Sequence, residues 1–132
     1  NLALRCLSLG GEKMPSGMIA EWAPRLTLRN IYGVTEATVY QSAMIMETET
    51  PPQLAGLPLA GLSIAVLPWH EEGEEEPDMG EDLGEVCIAG PGVARGYLNS
   101  PELTSERFRA MSGLNCRRFY KTGDCGLWTS IK

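Results

Sequence analysis

The order of apolar and polar residues along the chain predicts where its strands and helices lie. Residues 2–9 are nearly continuously apolar and end at two glycines, a pattern that predicts a buried strand followed by a turn. Between Pro15 and Pro24 the apolar residues recur at helical spacing, which predicts a short helix. Residues 26–32 are the next strand candidate, so the order strand, helix, strand predicts an α/β layer. Four side chains are expected in its core: Met14, Met18, Ile19 and Trp22.

From about residue 54 the pattern changes to short strand candidates separated by glycine and proline. These candidates cover residues 62–68, 85–90 and 117–121. One brief helix candidate covers residues 101–108, where Ser100 would cap the helix and Pro101 would begin it. Short strands that follow a strand–helix–strand unit predict a small β-rich part. We therefore place a boundary after residue 53.

The net charge of −6 comes from one segment rather than from the whole surface. Residues 68–84 hold eight of the 17 acidic residues and neither Lys nor Arg, which leaves nine acids against eleven bases elsewhere. We predict that residues 70–82 form a solvated acidic loop. The sequence lacks the basic stripe that is typical of nucleic-acid binding, so no nucleic-acid partner is expected.

Hydropathy and cysteine spacing limit the location and the metal chemistry of the chain. No apolar run reaches the roughly 18 residues that a membrane span needs, and residues 1–5 do not resemble a secretory signal. The four cysteines lack C-x-x-C spacing, so a zinc site is not expected. We expect reduced thiols, a cytoplasmic location and no membrane partner. Cys6 and Cys87 are expected to act as small apolar residues within strands.

The richest set of functional side chains follows the second strand candidate, in residues 30–36 (NIYGVTE). The ring of Tyr32 can cover a purine or pack in the core. The hydroxyl of Thr35 can hold a phosphate or cap a helix. The carboxylate of Glu36 can bind Mg²⁺ or stabilise the first turn of a helix. The structural alternative is the commoner one for any single residue, but together the three favour a nucleotide site.

Two later segments carry polar groups next to glycines. Residues 84–98 (GEVCIAGPGVARGYL) could be taken for a dinucleotide-binding fingerprint, but three residues separate Gly92 from Gly96 and no helix pattern follows directly. We expect these glycines to form tight turns, and we give Arg95 no catalytic role. Residues 120–124 (YKTGD) end in an aspartate whose two carboxylate oxygens suit a diol.

In this order the segments resemble the core motifs of adenylate-forming enzymes, most closely the amino-acid adenylation domains of nonribosomal peptide synthetases. Residues 30–36 resemble N-x-Y-G-P-T-E, with Val34 where proline is usual. Residues 84–98 resemble G-E-L-x-I-x-G-x-G-x-A-R-G-Y-L, and residues 120–124 resemble Y-[RK]-T-G-D. Residues 99–108 (NSPELTSERF) continue in the style of the peptide-synthetase branch.

The resemblance covers residues 2–126 and implies a fragment of the large N-terminal domain of such an enzyme. Residues 1–53 would be the end of its α/β nucleotide-binding subdomain, and residues 54–132 would be a small β-rich subdomain. The small C-terminal domain of the family, which carries a catalytic lysine, would be absent. Neither Lys121 nor Lys132 is therefore assigned that role.

The adenine site is the first that the resemblance implies. The backbone of Gly11 and Glu12 would line the adenine slot, where glycine lets the main chain approach a ligand closely. Asn30 would contact the adenine edge, and Tyr32 would stack on the ring, with Gly33 forming the turn beside it.

The same resemblance implies how the rest of ATP is held. Thr35 would hold a phosphate and Glu36 would bind Mg²⁺, which makes these two the catalytic residues. Asp124 would accept both ribose hydroxyls. Together with Tyr32, these side chains are expected to converge around a single adenylate.

An acyl pocket is implied as well, and four of its five residues are aliphatic, which favours an apolar substrate side chain. Its lining would be Leu7, Leu9, Ile31, Val39 and Tyr40.

The implied activity is the reaction of a carboxylic substrate, expected to be an amino acid, with ATP to give an acyl-adenylate and pyrophosphate. The acyl group would then pass to a phosphopantetheine thiol on a carrier domain of the parent protein. One alternative is an acyl-CoA or aryl-CoA synthetase fragment that uses free coenzyme A. Another is a truncated fragment without turnover, and the isolated chain is expected to be inactive.

Overall fold

The computed structural model of the protein describes residues 3–68, 83–110 and 118–129. The chain divides into two compact units, Asn1–Ala60 and Gly61–Lys132, and each contains a four-stranded sheet. The predicted acidic loop lies outside the described residues.

A parallel strand–helix–strand unit opens the first compact unit. β1 (Cys6–Gly10) and β2 (Thr27–Tyr32) run parallel, and α1 (Ser16–Trp22) connects them. β2 also pairs antiparallel with β3 (Ser42–Met46), which in turn pairs antiparallel with β4 (Leu57–Pro58). The predicted α/β layer is confirmed. Because β4 belongs to this sheet, the first unit continues beyond residue 53, the boundary placed from the sequence.

The core of the first unit lies on the face of the sheet that α1 covers. Leu28 is fully buried, and Ile19 and Met46 are each 2% exposed. Met14 completes the buried cluster, and Met18 and Trp22 pack against it partly buried, as do Leu7 and Leu9. Burial of an apolar side chain of this size contributes about 1.5–3 kcal/mol. The predicted core positions of the helix are therefore confirmed.

The first strand is less buried than its apolar sequence suggests. In β1 the residues Cys6, Ser8 and Gly10 are exposed, and the two leucines between them are half-buried. Within the described residues β1 pairs with β2 alone, and the buried core lies on one face of the sheet. The prediction of a buried strand is therefore wrong. Cys6 lies within a strand as expected, but its side chain is exposed.

The segment between β2 and β3 holds structure that was not predicted. A 3-10 helix, Thr35–Ala37, follows β2, and β3 was not predicted from the sequence. Ser42 and Met46 at the ends of β3 are 1% and 2% exposed. Met46 therefore belongs to the buried core, and Met44 packs against it partly buried.

The second unit is an antiparallel sheet with a short helix. Its elements are β5 (Ser63–Leu67), β6 (Gly84–Ala89), α2 (Pro101–Arg107), β7 (Phe108–Arg109) and β8 (Phe119–Gly126). The strand order is β5–β6–β8–β7. The prediction of short strands is confirmed, and β8 is longer than predicted because it continues through residues 122–126.

α2 begins at the predicted place but is capped differently. Ser100 is the N-cap and Pro101 the first helical residue, yet the Ser100 side chain makes no capping hydrogen bond. Instead, the Ser100 carbonyl accepts from the hydroxyl of Thr104 at 2.8 Å, and that hydroxyl accepts from the Tyr97 N–H at 2.9 Å. Thr104 therefore ties residues 90–98, which we call the glycine-rich segment, to the helix.

The described residues contain no helix with the length and apolar character that a membrane span requires.

Aromatic side chains connect the glycine-rich segment to β8. The ring centroids of Tyr97 and Phe108 lie 5.5 Å apart, and those of Phe108 and Tyr120 lie 4.9 Å apart. The hydroxyls of the two tyrosines are hydrogen-bonded at 3.0 Å. Gly96 adopts a φ of 144°, a conformation that L-residues rarely adopt. The contacts of Tyr97 and the φ of Gly96 support a structural role for the glycine-rich segment.

The assignment of the core face predicts how two aliphatic truncations differ. Leu28→Ala removes a fully buried side chain and should lower the free energy of unfolding by about 2–5 kcal/mol. Ile45→Ala, on the next strand, removes a side chain that is 57% exposed and should cost about 0.5 kcal/mol. Urea unfolding followed by circular dichroism measures both. Equal losses would contradict the assignment of the core face.

Candidate functional site

Two of the predicted nucleotide-binding segments leave the first sheet at the same edge. In the parallel register Leu9 is opposite Asn30 and Gly10 is opposite Ile31. β1 and β2 therefore end side by side. Gly11 follows β1 with a φ of 89°, and it is exposed. Loops beyond the carboxyl ends of parallel strands are where open α/β sheets bind ligands. The fold therefore brings the Gly11–Glu12 turn beside the end of β2.

The turn after β2 carries the two predicted catalytic residues. Thr35 is exposed and Glu36 is half-buried, both in the 3-10 helix. A hydrogen bond from the Val39 N–H to the Val34 carbonyl, at 3.1 Å, closes the turn. Thr38 and Val39 have φ values of 67° and 71°, which is costly for β-branched residues. The surrounding contacts must hold this conformation.

Gln41 supplies those contacts. It is fully buried, and its Oε1 accepts from the Val34 N–H at 2.6 Å while its Nε2 donates to the Ala37 carbonyl at 2.7 Å. Its own N–H donates to the Tyr32 carbonyl at 2.8 Å. One carboxamide therefore joins both ends of the 3-10 helix to the sheet. We call this arrangement the Gln41 clamp.

Gly33 allows the chain to fold back this tightly. A Cβ at this position would collide with the carbonyl oxygen of Val39 and lie 2.7 Å from the Oε1 of Gln41. The glycine expected in the turn is thus required by the close approach of the returning chain.

Asn30 and Tyr32 occupy successive inward positions at the end of β2. Asn30 is 8% exposed, and its Nδ2 donates to the Leu54 carbonyl at 2.9 Å. Its amide therefore holds the chain that leads to β4. Tyr32 is half-buried. A contact of either residue with adenine stays a prediction.

The five residues proposed for the acyl pocket lie in different surroundings. Leu7 and Leu9 pack against the core of the first unit, and Ile31 is half-buried. Val39 and Tyr40 are 53% and 50% exposed. A shared acyl pocket stays a prediction.

In the second unit, the predicted ribose-binding residue lies on a bulge of β8. Glu85 pairs with Cys125, and Cys87 pairs with Lys121. One residue of β6 is therefore opposite three residues of β8, namely Thr122, Gly123 and Asp124. Bulges of this kind redirect side chains away from the regular ladder. Asp124 is exposed at the end of this bulge.

A buried carboxylate lies beneath the bulge. Glu85 is 5% exposed, and its Oε1 accepts from the Gly123 N–H at 3.0 Å. Its Oε2 lies 3.2 Å from the Nζ of Lys121. Burial, with the Glu85 charge adding to it, raises the pKa of the Cys87 thiol from 9.0 to about 12, and Lys121 opposes that shift.

Gln41 and Glu85 were not assigned a function from the sequence. Each is a polar residue close to an apolar strand run: Gln41 and Ser42 come before AMIM, and Glu85 lies within GEVCIA. A polar side chain in such a position must have hydrogen-bond partners if it is buried. The sequence shows these polar residues, but it does not show which groups they bond.

The donor set at the first turn suits magnesium. A carboxylate and a hydroxyl next to each other, Glu36 and Thr35, offer the hard oxygen ligands that Mg²⁺ prefers. Among residues 3–68, 83–110 and 118–129 no three His, Cys, Asp or Glu side chains form a metal-binding group. Sites that combine one or two carboxylates with substrate phosphates and water are usual for Mg²⁺, so these residues fit such a site.

A family comparison identifies the class of protein. The sequence model of the family described as "AMP-binding enzyme" matches residues 1–98. The chain belongs to the AMP-binding enzyme family. This match includes the Gly11 turn, the Gln41 clamp and the glycine-rich segment after β6.

The relatives of this chain include peptide synthetases. It is 38% identical to nonribosomal peptide synthetase sidE of Aspergillus fumigatus, over 92% of this chain and 6% of the relative. It is 38% identical to novobiocin biosynthesis protein H of Streptomyces niveus, over 92% of this chain and 20% of the relative. With tyrocidine synthase 3 of Brevibacillus parabrevis, identity is 39% over 95% of this chain and 2% of the relative. The chain thus spans a small part of each.

Solved structures share its fold. Holo-AB3403, a four-domain nonribosomal peptide synthetase bound to AMP and glycine, matches with a TM-score of 0.70 and 34% identity, over 89% of this chain and 9% of that one. PA1221, which contains adenylation and carrier (PCP) domains, matches with a TM-score of 0.74 and 28% identity, over 95% of this chain and 26% of that one. The fold is thus that of part of an adenylation domain.

The Gln41 clamp predicts a stability loss that its exposed counterpart does not share. Gln41→Ala leaves the Val34 N–H and the Ala37 carbonyl without their buried partner and should lower the free energy of unfolding by about 1–3 kcal/mol. Gln53→Ala removes the same side chain from an exposed position and should cost about 0.5 kcal/mol. Urea unfolding compares the two. Equal stabilities would contradict the clamp.

The raised pKa of Cys87 predicts a pattern of alkylation. At pH 8.5 the folded chain should react with iodoacetamide at the exposed Cys6 and Cys125, but not at Cys87, whose thiol keeps its proton because its pKa is about 12. Urea should make Cys87 reactive. Since the folded state holds this proton more tightly than the unfolded state, the shift makes folding less favourable as pH rises above about 9. Peptide mapping by mass spectrometry reads each cysteine separately, and rapid labelling of Cys87 without urea would contradict its burial.

Proposed function

We propose that this chain forms part of an adenylation domain that activates an amino acid with ATP, giving an aminoacyl-adenylate and pyrophosphate. The observation that carries the proposal is the Gln41 clamp. It holds Thr35 and Glu36 beyond the carboxyl ends of two parallel strands, in a chain of the AMP-binding family. Cleavage between the α- and β-phosphates needs charge neutralisation and positioning more than covalent participation by the protein.

The roles of the first turn follow from its chemistry. Glu36 would hold Mg²⁺, which would neutralise phosphate charge, and Thr35 would donate its hydroxyl to the α-phosphate. Tyr32 covers the adenine, and the backbone of Gly11 and Glu12 borders it. The half-burial of Glu36 supports this role, because an oxygen ligand that is partly shielded from water interacts more strongly with a cation.

The second unit contributes Asp124, whose carboxylate accepts hydrogen bonds from the ribose hydroxyls. Two hydroxyl donors match the two oxygens of one carboxylate. The bulge of β8 presents this side chain outside the strand ladder, which supports a role in binding rather than in packing.

The acyl acceptor is a phosphopantetheine thiol on a carrier domain. PA1221 combines adenylation and carrier domains, and NpsA–ThdA is an artificial fusion of the same two domain types; they match this chain with TM-scores of 0.74 and 0.76. An amino-acid substrate and a carrier partner are therefore the proposal for this chain. Leu7, Leu9, Ile31, Val39 and Tyr40 stay its candidate acyl-pocket residues.

Amino-acid-dependent pyrophosphate exchange by an intact adenylation domain that contains this chain tests the proposal. Glu36→Gln should lower kcat/KM for ATP roughly 100-fold, because the side chain loses the charge that attracts Mg²⁺. The matched control is Glu49→Gln, an exposed acid of the same unit, which should change exchange little.

Two results would contradict the proposal. One is an intact domain that exchanges pyrophosphate with no amino acid, and the other is equal activity of the Glu36 and Glu49 variants. The isolated 132-residue chain is expected to give no exchange, and robust turnover by it would show that residues of this chain supply the catalysis assigned to the rest of the domain.

A further inference from the structure

The bulge of β8 removes three residues from the regular hydrogen-bond ladder. Between the pairs Glu85–Cys125 and Cys87–Lys121, Val86 is opposite Thr122, Gly123 and Asp124. Gly123 has a φ of 80°, a backbone conformation that glycine adopts without a steric penalty. Backbone groups in such a segment need partners other than the facing strand.

Side chains provide those partners. The Gly123 N–H donates to the Oε1 of Glu85 at 3.0 Å. The hydroxyl of Thr122 donates to the Val86 carbonyl at 2.7 Å and accepts from the Asp124 N–H at 3.0 Å. Both amides that flank the Cα of Gly123 and lead into Asp124 are therefore bound, one by Glu85 and one by Thr122.

The Glu85 carboxylate is suited to this position because its two oxygens serve two donors. Oε1 holds the Gly123 amide, and Oε2 lies 3.2 Å from Lys121, the residue before the bulge. The Glu85 side chain is 6% exposed, whereas that of Lys121 is 28% exposed. A carboxylate this buried is retained only if its hydrogen bonds and its charge are both matched.

We propose that Glu85 is a positioning residue for nucleotide binding, with the Thr122 hydroxyl as a second anchor. By holding the Gly123 amide, Glu85 sets the direction in which the bulge presents the Asp124 carboxylate. This inference rests on the proposed role of Asp124 as the acceptor of the ribose hydroxyls. Glu85 itself does not touch the nucleotide.

The test is a ribose preference, defined as the ratio of kcat/KM for ATP to kcat/KM for 2′,3′-dideoxy-ATP in pyrophosphate exchange. It is measured on an intact adenylation domain that contains this chain. A loss of general stability lowers activity with both nucleotides alike. A misplaced Asp124 lowers activity with ATP alone, because the dideoxy nucleotide has no hydroxyls for that carboxylate to bind.

Two substitutions of Glu85 separate its hydrogen bond from its volume. Glu85→Met keeps the volume but offers no acceptor, and replacing a buried ion pair by an apolar side chain is often tolerated. It should lower the ribose preference by roughly tenfold or more. Glu85→Gln keeps an oxygen for the Gly123 N–H, and the partly exposed Lys121 can turn to solvent, so its preference should stay within about threefold of the unchanged domain. The control is Glu102→Ala, an exposed acid of α2, which should leave the preference unchanged.

Thr122→Val provides an independent variant if Glu85→Met does not fold. It keeps the shape of the side chain and removes the hydroxyl that holds the Asp124 N–H, so the ribose preference should again fall by roughly tenfold. An unchanged preference would overturn the proposal that these anchors position Asp124.

Asp124→Ala separates the role of Asp124 in ribose binding from the role of Glu85 in positioning it. If this variant keeps the ribose preference, the proposed role of Asp124 fails and the inference on Glu85 fails with it. If Asp124→Ala abolishes the preference while Glu85→Met keeps it, the proposed function stands and Glu85 is not a positioning residue. An equal fall of both nucleotides in Glu85→Met would likewise overturn the inference.

Discussion

The structure depends on one constraint, which is that backbone groups leaving a sheet ladder must still be hydrogen-bonded. Both turns that carry the candidate functional residues leave their ladders, and each is held by a buried polar side chain. Gln41 bonds both ends of the 3-10 helix, and Glu85 bonds the bulge of β8. A sheet alone would leave these amides and carbonyls unpaired at a cost of about 1–3 kcal/mol each.

This constraint links the fold to the proposed chemistry. Charge stabilisation works best when the donors and ligands are in place before the reaction, because no free energy is then spent on rearranging them. In the first unit the clamp holds Thr35 and Glu36 in a turn whose φ values at Thr38 and Val39 are costly. In the second unit the bulge holds Asp124. Because the chain belongs to the AMP-binding family, we propose that these two segments bind the nucleotide.

The sequence predicted the regular part of the fold, because helices and strands depend on local patterns, while the nucleotide site stays a prediction. The period of apolar residues predicted α1 and its core. The structure places Thr35 and Glu36 in the 3-10 helix after β2 and Asp124 on the bulge of β8. The sequence did not predict that β1 is half-exposed or that Gln41 and Glu85 are anchors. Exposure of β1 depends on which strands flank it, and the anchors bond residues that the turns bring close, up to 38 positions away. Such contacts leave no periodic signal.

We infer that the turn after β2 and the bulge of β8 both have their shape before any nucleotide binds. Amide hydrogen exchange of an intact adenylation domain that contains this chain, recorded without and then with Mg²⁺ and ATP, tests it most directly at the Val34 and Gly123 amides. The account predicts that both amides exchange as slowly as those of the neighbouring strands without nucleotide, and that nucleotide changes their rates little. Exchange at the rate of an unstructured peptide, slowed only when nucleotide is added, would contradict it.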